Sequence, residues 1–484
     1  KDPERGPMIR RFGLLAGPLL AALLYALIPE SLPDPAGGEL RLGIAGRVTG
    51  ALVGWMAVWW MTEAIPIAVT ALLPPIVLPL TGVQDFFDTT AVYTHPLVLL
   101  ALGGFVLALA LERWNLHRRF AAFILRVVGH GPRRLVGGFM IVGATLSMWI
   151  SNTATAVILL PVALSVIAAD DETSEHHSRF RLCLLLGTAY ACSIGGMSTL
   201  IGTGTNVFLA SFVESELQRD LSFAAWMRLG VPLALLFLPL TWLLLTRAVF
   251  RLPAVSRSER GVLVRGREPW SAGEKRVFAV FALAVVGWVG APLLVRLPLL
   301  ANLSDPGVAL LCMLLLFVIP DGRGEGGALM DWETAAKLPW GVLILFGGGL
   351  ALAAAIDDNG IGAALALASA GLQQVPPFVV VTFAVVLMTL LTELTSNLAS
   401  TATLLPVLTA VADGMGFDAL AIVVPTALAA SCAFMLPVAT PPNMIVFGSG
   451  MLRIPDMVRA GVWINALGIA LISLLAYPLV GILF

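Results

Sequence analysis

The chain has 484 residues, of which 58% are hydrophobic and only 12% are charged, against roughly 25% charged in an average soluble domain. A soluble protein of this size needs about twice that charge to coat its surface, and a mean hydropathy of +0.92 excludes a cytosolic enzyme. The 29 basic residues against 30 acidic ones give a net charge of −1, which leaves no basic face for nucleic acid and no acidic tail. Composition therefore places the chain among all-α polytopic membrane proteins. Cys183, Cys192, Cys312 and Cys432 all sit in apolar runs without C-x-x-C spacing and read as buried thiols.

In chain order, the first apolar run is Phe12 to Ile28, after Arg10 and Arg11. It is long for a signal-peptide core and meets Pro29-Glu30-Ser31 with no small-x-small cleavage site, so it reads as a retained span. Further spans are predicted near 42–61, 65–81, 96–112, 181–212, 229–250, 276–295, 305–320, 338–356, 418–450 and 460–483, eleven in all. Two more apolar stretches, about 120–169 and 372–413, are too long for one crossing and carry polar residues at their centres. They fit helical hairpins that enter the membrane and return, because irregular backbone is tolerated at depth only inside protein or beside a cavity. Trp55, Trp59 and Trp60 near a span end read as an interfacial belt. Gly103-Gly104 and Gly347-Gly348-Gly349 read as close helix packing, since they lack the strand context of a nucleotide loop.

Charge sets the orientation. With the N-terminus inside, 24 of the 29 basic residues fall on cytoplasmic segments, and only Arg41, Arg47, Arg219, Arg228 and Arg296 fall outside. That split is the one the positive-inside rule expects, and eleven crossings then put the C-terminus outside. The hydrophilic stretch Arg251 to Lys275 reads as a cytoplasmic linker between two halves.

The halves repeat. The first hairpin carries Ser147 and Ser151-Asn152-Thr153-Ala154, running on to Pro161; the second carries Thr392, Thr395-Ser396-Asn397-Leu398-Ala399, running on to Pro406. Matched positions are 245 residues apart. Downstream, Ile201-Gly202-Thr203-Gly204-Thr205-Asn206 matches Val438-Ala439-Thr440-Pro441-Pro442-Asn443 at an offset of 237. Five crossings between the hairpins make the halves inverted, a recurring plan for secondary transporters.

These four segments carry the chemistry. A broken helix at membrane depth exposes carbonyls and amides that no water satisfies. Carbonyls with Ser, Thr and Asn oxygens make a hard-oxygen cage for a small cation such as Na⁺, while half-helix N-termini and amides donate to an anion. The four segments contain no Lys or Arg, so a co-bound Na⁺ is the natural source of charge for an anion held there. Ser, Thr and Asn in membrane helices often only bond a neighbouring helix; duplication at fixed offsets argues for more than that here. Glu63, Glu112 and Glu393 lie near span ends or hairpin tips, where structural pairing competes with function. His176 and His177, among Asp170, Asp171, Glu172 and Glu175, read as a solvated loop.

The paired Ser-Asn tips, the Thr-containing breaks and the stretch Thr62-Glu-Ala-Ile-Pro-Ile-Ala-Val-Thr-Ala-Leu-Leu-Pro74 resemble the divalent anion/sodium symporters, the INDY-type di- and tricarboxylate transporters, over essentially the whole chain. The resemblance implies a homodimer of eleven spans and two re-entrant hairpins in a bacterial inner membrane. It also implies a scaffold domain (1–118 and 276–370) and an elevator-like transport domain (119–250 and 371–484), joined through the linker 251–275. Carried over by position, the first sodium site is Ser147, Ser151, Asn152 and the Gly202 carbonyl; the second is Thr392, Thr395, Asn397 and the Ala439 carbonyl. The anion lies between, at Asn152, Thr153, Thr203, Asn397, Leu398, Thr440 and Pro441. One departure stands out: the family motif reads Ser-Asn-Thr twice, and here the second carries Leu398.

The leading expectation is a sodium-coupled symporter of a C4-dicarboxylate such as succinate, malate or fumarate, with Na⁺ co-transported and no organic cofactor. The alternatives are a sodium-independent exchanger, or a citrate or sulfate carrier of the same fold. An integral-membrane enzyme would need a mid-membrane cluster of His, Asp, Glu or Cys, which the sequence lacks.

Overall fold

A computed structural model describes residues 5–33, 39–120, 131–168, 175–253, 269–322 and 326–484. Most of the predicted linker, the loop acids Asp170 to Glu172, Lys1 and Arg126 lie outside the described residues. The chain is helical apart from one antiparallel hairpin, β1 (Ser31–Pro33) with β2 (Glu39–Arg41), in register Leu32 to Leu40. Hairpin and helix pair belong together: α1 (Arg5–Leu27) packs along α2 (Gly43–Thr62). Gly17 and Gly54 let that pair close, since a Cβ on either would stand within 2.6 Å of Trp59 or Leu24.

Proline breaks up the next stretch of chain. The predicted span 65–81 is divided into α3 (Ile67–Thr70) and α4 (Pro74–Leu80), because Pro66, Pro74 and Pro75 cannot donate to a preceding turn. After α5 (Phe86–Ala91), capped by Asp85, α6 (Pro96–Arg113) runs long and apolar. The first hairpin is α7 (Pro132–Ser147) and α8 (Asn152–Ala168). The predicted span 181–212 is a broken helix, α9 (Glu175–Gly196) and α10 (Gly204–Glu216). The first half ends with α11 (Phe223–Leu243).

Beyond the linker come α12 (Ala272–Leu294), α13 (Asp305–Val318), a short α14 (Trp332–Ala335) and α15 (Trp340–Asp358). Ser271 and Glu274 form a capping box at the start of α12, and Arg119 grips the same carboxylate at 2.5 and 2.9 Å. The second hairpin is entered through α16 (Ile361–Ser369), which turns by 119° into α17 (Pro377–Thr392) before α18 (Asn397–Met415). The predicted span 418–450 is again broken, into α19 (Leu420–Ala429) and α20 (Pro441–Phe447); α21 (Ile454–Leu471) and α22 (Tyr477–Leu483) complete the chain.

Seven helices among the described residues are long and apolar enough to cross a bilayer, eight with the bent pair. Ile67–Leu80, Asn152–Ala168, Asp305–Val318 and Leu420–Ala429 are shorter apolar helices. The faces of α1 and α12 are lined with exposed leucine, valine and phenylalanine, Phe12 at 70% and Val286 at 58%, as expected of helices that face lipid or another apolar surface. The expected all-α polytopic membrane class is the observed one.

The small-residue clusters sit at close approaches. A Cβ on Gly103 would meet the Ala309 backbone at 2.7 Å, and one on Gly348 the Ala71 carbonyl at 2.2 Å. Glu63 pairs with Arg10 at 3.4 Å on the exposed surface, and all four cysteines are free and buried. One tryptophan departs from the expected belt. Trp60 is fully buried, its ring N–H donating to the Ile67 carbonyl, because the helical turn carries it inward from its neighbours Trp55 and Trp59.

Candidate anion and sodium site

Four segments meet through crossed packing. Helix α8 of the first hairpin lies against α20 of the second half, and α18 of the second hairpin lies against α10 of the first. In each half the entering arm also packs on its own broken helix, α7 on α9 and α17 on α19. Each hairpin tip is thereby delivered to an unwound stretch.

The tips are built alike. Ser151 Oγ accepts from the Ala154 amide at 3.1 Å, and Ser396 Oγ from the Ala399 amide at 3.5 Å, 245 residues on. These serines cap the returning helices, so α8 and α18 both begin at the asparagine. In the first tip, buried Ser147 donates through Oγ to Asn152 Oδ1. Thr153 is exposed beside them. In the second tip, Thr392 is buried and turned to the Thr389 carbonyl at 3.3 Å, and Asn397 Oδ1 is buried with no hydrogen-bond partner among the described residues. The Thr395 hydroxyl is bonded to the Leu391 carbonyl (2.7 Å) and Ser400 Oγ (2.6 Å), in a cleft against Trp60 and Met61.

The unwound stretches are alike too. Thr203 and Thr440 both adopt extended backbone at the head of their half-helices, with φ of −146° and −139°. Thr440 Oγ1 accepts from the Asn443 amide at 3.4 Å, whereas Thr203 Oγ1 pairs with Thr205 Oγ1 at 2.9 Å, the position where the second half has Pro442. Gly202 approaches Gly196 so closely that a Cβ would stand 2.5 Å from its carbonyl oxygen. Gly196 in turn leaves room for Asn152: a Cβ there would be 2.6 Å from its Oδ1. Leu398 is 9% exposed and lies beside Gly204, near Val342 and Phe346. The second tip therefore reaches across to the first half, while Asn152 of the first tip seats on Gly196 of its own half.

Other residues hold this arrangement, among them Glu393, for which the sequence left pairing and function open, and Thr199 and Asn465, to which it gave no role. Glu393, 2% exposed, accepts from the Met435 and Leu436 amides (2.9 and 3.0 Å) and from Asn465 Nδ2 (2.7 Å). Asn465 Oδ1 accepts from the Phe434 amide at 3.1 Å. Structural pairing is thus what the structure gives this carboxylate. In the first half, Thr199 Oγ1 donates to the Met148 carbonyl (2.5 Å) and accepts from the Gly202 amide (3.1 Å). Asn206 and Asn443 were visible as the last matched letters of the two segments, and that identity was the available signal.

A helical membrane protein with two broken helices and two hairpin tips converging on them has the build of a secondary transporter. The chain belongs to the family described as sodium:sulfate symporter transmembrane region, whose profile matches residues 16–483. It is 39% identical over 483 residues to the sodium-dependent dicarboxylate transporter SdcS of Staphylococcus saprophyticus subsp. saprophyticus, covering 97% of this chain and 91% of that one. It is 37% identical over 480 residues to SdcS of Staphylococcus aureus strain bovine RF122, covering 96% and 90%. In fold it is similar to the Alcanivorax borkumensis YdaH transporter, with a TM-score of 0.61 at 15% identity, covering 99% of this chain and 98% of that one. The Neisseria gonorrhoeae MtrF structure gives a TM-score of 0.60 at 14% identity, with 97% and 94% covered.

Proposed function

We propose that this protein is a sodium-coupled symporter of C4-dicarboxylates such as succinate, malate and fumarate. The observation that carries the reading is the end-to-end similarity to relatives named sodium-dependent dicarboxylate transporters. The chemistry of the four segments supports it: they hold hydroxyls, amides and freed carbonyls but no Lys or Arg. A dianion bound there gains its countercharge from Na⁺. In this reading Ser147, Ser151, Asn152 and the Gly202 carbonyl hold one sodium, and Thr392, Thr395, Asn397 and the Ala439 carbonyl hold another. The anion lies between, at Asn152, Thr153, Thr203, Asn397, Leu398, Thr440 and Pro441.

The crossed packing of the hairpin helices α8 and α18 on opposite halves supports a moving unit made of residues 119–250 and 371–484, sliding against a scaffold of 1–118 and 276–370 in an elevator cycle. The two hairpins would cover the site in turn from either face, in a homodimer in a bacterial inner membrane with the N-terminus cytoplasmic. Each net positive charge carried inward gains about 2.3 kcal/mol per 100 mV, so excess sodium drives accumulation.

Uptake of labelled succinate into proteoliposomes, with sodium or choline outside, tests the reading. Uptake that needs sodium is expected; equal uptake in choline would favour the exchanger. The family description names sulfate, so sulfate and citrate belong among the competitors. A cysteine beside Thr203 or Thr440 should be labelled from both faces in turn, and labelling from one face under all conditions would rule out alternating access.

A further inference from the structure

Breaking a helix inside a membrane frees carbonyl groups that need partners. In the first half, Asn206 Nδ2 donates to the carbonyls of Gly196 (3.0 Å) and Thr199 (2.8 Å). In the second, Asn443 Nδ2 donates to the carbonyls of Ala433 (3.1 Å) and Leu436 (3.0 Å). All three positions correspond at the offset of 237, so the same fastener occurs twice. Both asparagines are fully buried. Two carbonyl acceptors on one side fix the amide orientation, since only the nitrogen can donate to both. Each Oδ1 is then left buried with no partner among the described residues. An unsatisfied buried acceptor is costly, so keeping asparagine twice at that cost points to what its donors do.

The tied carbonyls lie six and three residues before Gly202 in the first half and before Ala439 in the second. The Gly202 and Ala439 carbonyls themselves are not among the asparagines' acceptors. Fastening the turns just before them restricts the direction in which they point, the more so where the Gly202 backbone already touches Gly196. We propose that Asn206 and Asn443 are positioning residues that set the sodium affinity of the two halves, each presenting the Gly202 or Ala439 carbonyl to the ion. This rests on the reading of those carbonyls as sodium ligands.

Two substitutions at each position separate the roles. Asn206→Leu and Asn443→Leu remove donor and acceptor at similar volume, while Asn206→Asp and Asn443→Asp keep an oxygen and replace the donor. The purified protein is titrated with sodium chloride against choline chloride, reading thermal stabilisation and, in proteoliposomes, succinate uptake. Outer-shell partners of a bound metal typically carry about 10–100-fold in affinity. The expected result is a half-saturating sodium concentration raised about tenfold or more in both the Leu and Asp variants, with the KM for succinate at saturating sodium unchanged. Variants that run monodisperse and keep the wild-type sodium titration would overturn the proposal. So would Asp variants that bind sodium as well as wild type while Leu variants do not, because the oxygen would then be a ligand. If the Leu variants fail to fold, the Asp pair decides alone: a raised sodium requirement supports the proposal and an unchanged or lowered one overturns it. A wild-type protein that ignores sodium in both readouts would instead sink the symport reading on which the proposal stands.

Discussion

The two hairpins are fastened to their unwound stretches at equivalent points, with the donor on the stretch both times, but the side chain that closes the joint comes from opposite partners. In the first half the stretch supplies the side chain: Thr199 donates to the carbonyl of Met148 on the hairpin. In the second half the hairpin supplies it: Glu393, 245 residues beyond Met148, accepts from the amides of Met435 and Leu436 on the stretch. Leu436 stands 237 residues beyond Thr199, so the same joint is closed by a hydroxyl in one half and by a carboxylate in the other. The carboxylate also recruits Asn465 of α21, which accepts from the Phe434 amide; at the matching position of the first half Trp226 of α11 donates to the Met197 carbonyl at 2.9 Å. What the halves share is the Ser-capped tip and the asparagine fastener. In the proposed reading the shared parts serve ion and anion, while the parts that differ set how each tip is held.

The largest effects should fall on what is shared. Asn152→Ala and Asn397→Ala are each expected to abolish sodium-driven succinate uptake, since in the proposed reading each amide serves both ion and anion; substantial uptake by either variant would separate the two tips in function. Next come the joints. Glu393→Ala strands three buried donors at about 1–3 kcal/mol each, so the purified variant should lose much of its thermal stability. Thr199→Val strands two backbone partners, the Met148 carbonyl and the Gly202 amide, at about 1–3 kcal/mol each, and should cost less than Glu393→Ala. Equal destabilisation by the two would erase the contrast between the joints. A narrower test uses Gly196, where a Cβ would press on Asn152 Oδ1 at 2.6 Å. The second half already has Ala433 at the matching position. Gly196→Ala should therefore depress uptake strongly, while Ala433→Gly should be tolerated; the reverse order would show that the tips are not seated alike.

The legible part of the fold and site is the part written locally and written twice. The tips and breaks could be read because polar residues and prolines interrupt apolar runs, and because they do so at constant offsets. Helix ends at prolines were legible in kind, yet Pro66, Pro74 and Pro75 divided a predicted single span into two short helices. Glu393 was visible as an intramembrane carboxylate, but its partners lie 42, 43 and 72 residues further on, beyond any local pattern. Thr199 and Asn465 carry no motif at all, and their roles come only from tertiary packing. Trp60 was misplaced because adjacent tryptophans share a sequence neighbourhood while a helix points them about 100° apart.

The smallest expected effect concerns the one tip residue that breaks the match. Thr153 is exposed at the first tip, whereas its counterpart Leu398 is buried beside Gly204 on the opposite half-helix. A substrate spanning both tips is then held by more hydrogen bonds at one end than at the other. A compact C4-dianion tolerates that imbalance, but a third carboxylate brought against Leu398 finds no donor. An unpaired buried polar group costs about 1–3 kcal/mol, and more when charged, enough to disfavour citrate about tenfold or better. Threonine at 398 should be accommodated, because it is smaller than leucine and would stand at the helix position that Thr153 holds in the first tip. Leu398→Thr is therefore expected to fold, to keep succinate transport, and to improve citrate as a competitor of labelled succinate by about the same factor of ten. If citrate or sulfate already outcompetes malate and fumarate in the wild type, the dicarboxylate assignment is wrong. If wild type prefers dicarboxylates and the substitution leaves that preference untouched, selectivity is set at Thr153 or by the half-helix ends, and the difference between the tips is one of packing alone.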